Sequence, residues 1–240
     1  MIAGQIDRET WEQPGLTVGA HTNSPPQPWA RAQYVAIHYT AGSQLPDSYE
    51  GVLAHIQNSQ RSYVNTRGYS YGYNWAVDRS GRVWEIRGAD FCCAANGNSR
   101  TNSDGPAIVC YVNGTDPANL LMTGAIRKII STCSTAAGRL LPAVKHSDLR
   151  PTQCPGAGLA HQVDIGLFDP ENDKMNRYIA IPPAQYRNPH RGSFYVHDGT
   201  VRYATSPDVD YARSQNFPEL ELSVGQYELM YRNVFGTLPA

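Results

Sequence analysis

No stretch of the chain approaches the ~20 consecutive apolar residues needed to cross a bilayer. The start, Met1-Ile2-Ala3-Gly4-Gln5-Ile6-Asp7-Arg8, lacks a basic segment leading into an apolar one. Membrane insertion is therefore not expected, and the protein is expected to be made in a cytoplasm without a secretion signal. An excess of either charge is also missing, with 20 Lys and Arg against 21 Asp and Glu for a net charge of −1. A nearly neutral protein exerts little overall attraction on nucleic acid or an anionic membrane, and neither is expected as a partner. Cysteine is scarce and odd in number, with five at positions 92, 93, 110, 133 and 154. Their spacing suggests no disulfide framework. Cys110, in the apolar run 107–112, and Cys133, on a predicted helix, read as buried thiols acting as small hydrophobes. Two zinc signatures are absent as well: the His-Glu-x-x-His helix of metalloproteases and the Pro-Cys-x-x-Cys of nucleotide deaminases.

What the chain does have is enough apolar residue for one good core and a small second one, 41% hydrophobic over 240 residues. Its most informative stretch is His146-Ser147-Asp148-Leu149-Arg150-Pro151-Thr152-Gln153-Cys154-Pro155-Gly156. An imidazole and a thiol stand at either side of a Pro-containing turn, and both are donors of the kind that bind Zn²⁺. Prolines at 151 and 155 fix φ and remove backbone donors, so a rigid loop is expected and not a continuing helix.

A third ligand has to come from elsewhere. His38 ends Tyr34-Val35-Ala36-Ile37-His38, a short β-prone run followed by Thr40-Ala41-Gly42, which reads as the exit from a buried strand. Three protein ligands with one open position is the pattern of a catalytic zinc. His55 falls on a predicted helix over 48–60 and reads as a packing residue, and His161 reads as scaffold. His21, His190 and His197 have no nameable partner.

Along the chain, residues 1–30 are rich in Gly, Pro and Asn and are expected to form an extended arm, with a short helix around Arg8-Glu9-Thr10-Trp11. Residues 71–77 and 81–86 alternate like two strands joined at Asp78-Arg79-Ser80-Gly81, and a third strand is predicted over 107–112. Apolar residues at Ile126, Ile129, Ile130, Cys133 and Ala137 predict an amphipathic helix over 123–140, ended by Gly138 and Pro142. Strands interleaved with helices imply an α/β fold, with a central mixed β-sheet flanked by helices and a zinc cleft.

Three blocks carry a resemblance. Ile37-His38-Tyr39-Thr40-Ala41-Gly42, then Gly72-Tyr73-Asn74-Trp75 through Gly88, then His146 to Gly156, resemble in order the signature blocks of the zinc N-acetylmuramoyl-L-alanine amidases. That family includes the amidase-type bacteriophage lysozymes and the peptidoglycan-recognition proteins. The resemblance covers roughly Ala32 to Leu167 and implies a zinc amidase domain over 31–170. It implies His38, His146 and Cys154 as the metal ligands and Tyr73 and Thr152 as catalytic residues. The implied activity is a peptidoglycan hydrolase cutting the amide between N-acetylmuramic acid and the L-alanine of the stem peptide.

A phage endolysin that reaches the wall after release by another protein fits this best, with a monomer as the expected state. A non-catalytic peptidoglycan-recognition protein is the alternative, although such relatives typically lose the ligand matched here by Cys154.

Strand alternation is expected to aim Tyr73 and Trp75 to the same face. Thr152 departs from phage enzymes that carry lysine at this place; its hydroxyl donates a hydrogen bond but no full charge. Cys93-Ala94-Ala95-Asn96 departs where many relatives place a groove histidine. Asp148 reads equally as an orienter of an imidazole or as a cap of its own turn.

Beyond about Pro170 the resemblance stops. Residues 171–192, with Pro182-Pro183 and Asn188-Pro189, are expected to be a linker. Residues 193–240 are expected to form a small α+β accessory module: a hairpin over 193–204, a helix opening at Ser206-Pro207-Asp208 and a last helix from Ser223 to Gly236. Its tyrosines read equally as sugar-stacking residues or as its core.

Overall fold

A computed structural model of the chain describes residues 2, 4–13, 24–42, 45–170, 177–181, 194–197, 200–203, 219–221 and 227. The chain divides into two compact units, Met1–Pro170 and Glu171–Ala240.

The first unit opens with the short helix α1 (Arg8–Trp11) and is built on five strands: β1 (Val35–Tyr39), β2 (Trp75–Val77), β3 (Val83–Glu85), β4 (Ala107–Cys110) and β5 (Ala143–Lys145). Their order is β3-β2-β4-β1-β5. β1 runs parallel to both β4 and β5, β2 is parallel to β4, and β3 closes one edge antiparallel to β2. The expected mixed sheet is therefore present. Central strands such as β4, Ala107-Ile108-Val109-Cys110, are buried at every position. Such continuous apolar runs belong to strands covered on both faces.

The covers are two long helices. α2 (Tyr49–Arg67) starts at Ser48, whose hydroxyl accepts from Gly51 N at 3.0 Å, and runs past the expected end at 60 to Gly68 in the left-handed region (φ 70). The third helix, α3 (Ser99–Asp104), sits beneath Asn98, whose side chain accepts from the N–H groups of Arg100 and Thr101. α4 (Leu120–Ala137) is capped by Asn119, which accepts from Met122 N, and stops at Gly138. Met122, Ile126, Ile129, Ile130 and Cys133 of α4 pack against Val35, Ile37, Trp75, Val77, Ile108 and Cys110. Burying each such large side chain contributes roughly 1.5–3 kcal/mol.

On the other face Val52 and Ile56 of α2 meet Ala76, Trp84, Val109 and Tyr111, joined by Trp11 from the N-terminal segment. Trp11 is 1% exposed and its indole donates to Glu85 O at 2.7 Å. The expected arm is thus pinned to the sheet by α1 and by the Ile6–Trp84 and Pro26–Phe91 bridges; its residues 14–23 lie outside the described residues.

Two short helices complete the unit, α5 (His146–Leu149) and α6 (Ala157–Asp164). α5 occupies the first four residues of the stretch expected to be a loop. None of the described helices is long and apolar enough to cross a membrane.

In the second unit, β6 (Arg177–Ile181), β7 (Phe194–His197), β8 (Thr200–Tyr203) and β9 (Glu219–Glu221) are ordered β8-β7-β6-β9. β7 and β8 form the expected hairpin. β6 lies inside the span expected to be linker, and it pairs with both β7 and β9. Its sequence Arg-Tyr-Ile-Ala-Ile is short and β-prone; the prolines on its far side obscured that signal. Of the two expected helices, the described residues include only Tyr227, which is helical and buried. The rest of both helices lies outside the described residues.

Candidate metal centre

β1 carries a histidine one residue before its end, and β5 delivers another beside it. The pairing of Ile37 with Lys145, continued by one residue, sets His38 next to His146, the first residue of α5. Their rings are 4.2 Å apart between centroids. Side chains alternate across a strand, so Ile37 enters the core under α4 while His38 points to the opposite face.

The chain then turns back through 150–153. Ser147 N donates to Cys154 O at 2.9 Å, which returns Cys154 to the start of α5. Gly156 (φ 82) lies so close to Gly114 that a Cβ there would meet the Gly114 backbone, and Ala157 N donates to Gly114 O. A glycine is required for that approach. Cys154 Sγ comes to 3.6 Å from His38 Nδ1. One donor atom from each of His38, His146 and Cys154 lies within 4.8 Å of the others. The three residues singled out from sequence are brought together.

Electrostatics favours the metal-ready state of both imidazoles. Burial, followed by the neighbouring His146, pushes His38 down to about 3, against the opposing bond from Asn96. His146 is lowered too, by burial first and by Arg150 second. Both rings are therefore neutral at pH 7, the form that binds metal. Burial raises the Cys154 thiol to about 11, with a hydrogen bond from the Tyr39 backbone opposing.

Both ring nitrogens of His146 are shut from solvent and have no hydrogen-bond partner among the described residues. Leaving such groups buried and unpaired is costly. Two imidazoles and a thiol, one ring with unmet bonding capacity, fit a divalent ion of intermediate softness such as Zn²⁺.

Tyr73 stands against this cluster, its ring edge-on to His38 at 5.1 Å and to Tyr71 at 5.0 Å. Here the expected alternation fails. Trp75 joins the core under α4, whereas Tyr73 packs with the cluster under α2. β2 begins only at Trp75, and the chain is diverted at Asn74. The buried Asn74 donates from Nδ2 to Gly88 O and Phe91 O and accepts from Ala107 N, all at 2.8 Å. Its carbonyl also accepts from the N–H groups of Ile86, Arg87 and Gly88. A two-residue period does not survive such a hub. Burial, then Tyr71, raises the Tyr73 phenol well above its ordinary range, so it remains protonated at neutral pH.

Thr152 is exposed beside the cysteine, and its Oγ1 accepts from Cys154 N at 3.2 Å. Asp148 does neither of the things expected of it: it bonds back to the start of α5, accepting from Lys145 N at 3.0 Å and pairing with Lys145 Nζ, and not to the Arg150-Pro151 turn or to an imidazole. The residue hydrogen-bonded to an imidazole of the cluster is Asn96, whose Oδ1 lies 2.9 Å from His38 Nε2. The segment departs from relatives that place a groove histidine there, and its Asn96 is turned fully inward. No local pattern marked it.

His55, on α2, faces Tyr111 just after β4, apart from the cluster. Cys110 and Cys133 are core residues as expected. Cys92 and Cys93 are also buried, with Cys93 Sγ on Asn102 Oδ1 and Gly105 O.

No family model matches the chain. Peptidoglycan-recognition protein SC2 of Drosophila melanogaster is 25% identical over 134 residues, which make up 54% of this chain and 71% of that protein. Among solved structures, bumblebee PGRP-SA superposes with a TM-score of 0.56 at 20% identity, covering 66% of this chain and 92% of its own. The fold is that of the peptidoglycan-recognition proteins. Human PGRP-IBETAC, solved in complex with glycosamyl muramyl pentapeptide, gives the same TM-score of 0.56 at 20% identity, over 68% of this chain and 95% of its own. The shared fold is the mixed sheet flanked by helices, and in this chain it carries the His38, His146 and Cys154 cluster.

Proposed function

We propose that this protein is a zinc-dependent N-acetylmuramoyl-L-alanine amidase acting on peptidoglycan. The observation that carries the proposal is the convergence of His38, His146 and Cys154 within 4.8 Å, beside the ring of Tyr73. These three residues would hold the ion. A Zn²⁺ with three protein ligands supplies Lewis acidity toward a carbonyl oxygen and toward water.

The remaining steps belong to the chain. Tyr73, kept protonated by burial, donates a hydrogen bond to the charge that develops on the scissile carbonyl oxygen. Thr152 uses its oxygen to accept from Cys154 N, which leaves its O–H free as a second donor. A neutral hydroxyl gives less than an ammonium would, so Thr152 is the weaker helper.

Digestion of purified peptidoglycan with mass analysis of the products tests this. Free stem peptides beginning with L-alanine are expected, while new reducing sugar ends would mean that a different bond is cut. A second reading, recognition without catalysis, is favoured by the relatives, which are named as recognition proteins; tight binding to insoluble peptidoglycan with no release of peptide would establish it. The proposal extends to a phage lysin, because the zinc amidase family that the three sequence blocks resemble includes phage enzymes, although Thr152 stands where those carry lysine. Expression inside bacteria should then be harmless until the membrane is permeabilised and lytic afterwards. Lysis without permeabilisation would remove that extension.

A further inference from the structure

We propose that Asn96 is a positioning residue that holds His38 in the Nε2–H tautomer and so presents Nδ1 as the metal-ligand atom. The inference rests on the metal-centre reading of His38, His146 and Cys154.

The amide of Asn96 has one orientation compatible with its surroundings. Its Nδ2 donates to Gly105 O at 2.8 Å and to Thr101 O at 3.3 Å. Turning the amide over would set Oδ1 against those two carbonyl oxygens, acceptor against acceptor. Oδ1 therefore faces His38 Nε2, at 2.9 Å, and can only accept. A neutral imidazole carries one N–H, so His38 must be protonated on Nε2 with its lone pair on Nδ1. Nδ1 is the nitrogen that lies 3.6 Å from Cys154 Sγ. One hydrogen bond thus decides which side of the ring joins the cluster, the role that outer partners of ligand histidines generally play.

The surrounding structure is built to keep Asn96 still. Its own N–H donates to Asn102 Oδ1 at 2.8 Å, and its carbonyl accepts from Thr101 Oγ1 at 3.0 Å. Thr101 and Asn102 both lie on α3, which is fixed at its start by the Asn98 cap. Gly105, which follows α3, packs so closely on the Tyr34 ring that a Cβ there would collide with it. Asn96 is fully buried with every amide hydrogen committed, so it has no freedom to offer His38 a donor instead.

The test has two parts. In metal-free wild-type protein, long-range ¹⁵N–¹H correlation of ring-labelled histidine should show His38 protonated on Nε2; an Nδ1–H ring would overturn the inference without any variant being made. In Asn96→Ala, His38 should become a mixture of tautomers and zinc affinity by chelator competition should weaken about 10–100-fold. A folded Asn96→Ala that keeps wild-type zinc affinity refutes the positioning role while leaving the metal centre standing. Wild-type protein that takes up no zinc would defeat the metal-centre reading and this inference with it.

Discussion

At the scale of single residues, ligands and donors should separate cleanly in experiment. Wild-type protein should carry one zinc per chain, and Cys154→Ser should carry little, because a hydroxyl replaces the soft donor of the cluster. Metal analysis of the purified proteins decides it, and active wild-type protein free of zinc after chelation would count against the whole scheme. Tyr73→Phe should keep its zinc yet lose ~10²–10³ in turnover, the usual cost of one preorganised donor facing developing charge. Thr152→Ala should be milder. Full activity in Tyr73→Phe would reduce that phenol to a packing group.

His38 also makes a prediction about acid. Its folded value, about 3, lies below the ordinary 6.5, so the unfolded chain takes up a proton that the folded chain refuses. The associated stability is present above pH 6.5 and is lost as pH falls toward 3. Thermal melts of the metal-free protein should fall over that window, and His38→Gln should show a shallower fall. Equal slopes would mean that other groups carry the acid sensitivity.

At the scale of elements, Asn74 is where strand, turn and site meet. Asn74→Ala would strip partners from Ala107 N, Gly88 O and Phe91 O at once. Each buried group left unpaired costs ~1–3 kcal/mol, so urea denaturation should show a loss of at least about 2 kcal/mol. Because the same residue directs Tyr73 to the His38 side, turnover should fall more than zinc content. A variant as stable as wild type would show that water replaces those bonds.

The long helices were legible in the sequence because apolar spacing and caps agreed: α4 was expected over 123–140 and spans Leu120–Ala137. α3, α6, β5, β6 and β9 were missed. They are short, and what makes the strands and α3 regular is the pairing of β5 with β1 and of β6 with β7 and β9, or the hydrogen bonds around Asn98.

For the whole molecule, the division after Pro170 sets the experiment. On the proposed function, a chain ending at Asp173 should fold, bind zinc and cleave soluble muropeptide fragments to the same extent as the full chain, since the described site lies within the first unit. If the second unit anchors the enzyme to walls, the shortened chain should lose activity on intact walls alone, through loss of local concentration. Residues 175–240 fused to a fluorescent protein should then decorate bacterial cells. A shortened chain that unfolds, together with a fusion that leaves cells dark, would give the tail a structural role.

The sequence by itself determined the donor set. His38 at a strand exit and His146 and Cys154 flanking a proline turn are chemical identities, and chemical identity is what sequence states directly. It also determined the α/β layering, because the two periods of helix and strand are written in the spacing of apolar residues. Only the tertiary structure decided how those donors face one another. The parallel register of β1 with β5 set one histidine beside the other, and the break at Asn74 sent Tyr73 to their side of the sheet. The inward turn of Asn96, 58 positions along the chain from His38, was decided there too. Contacts between distant segments depend on pairing and packing summed over the whole fold, and no local stretch of residues encodes that sum.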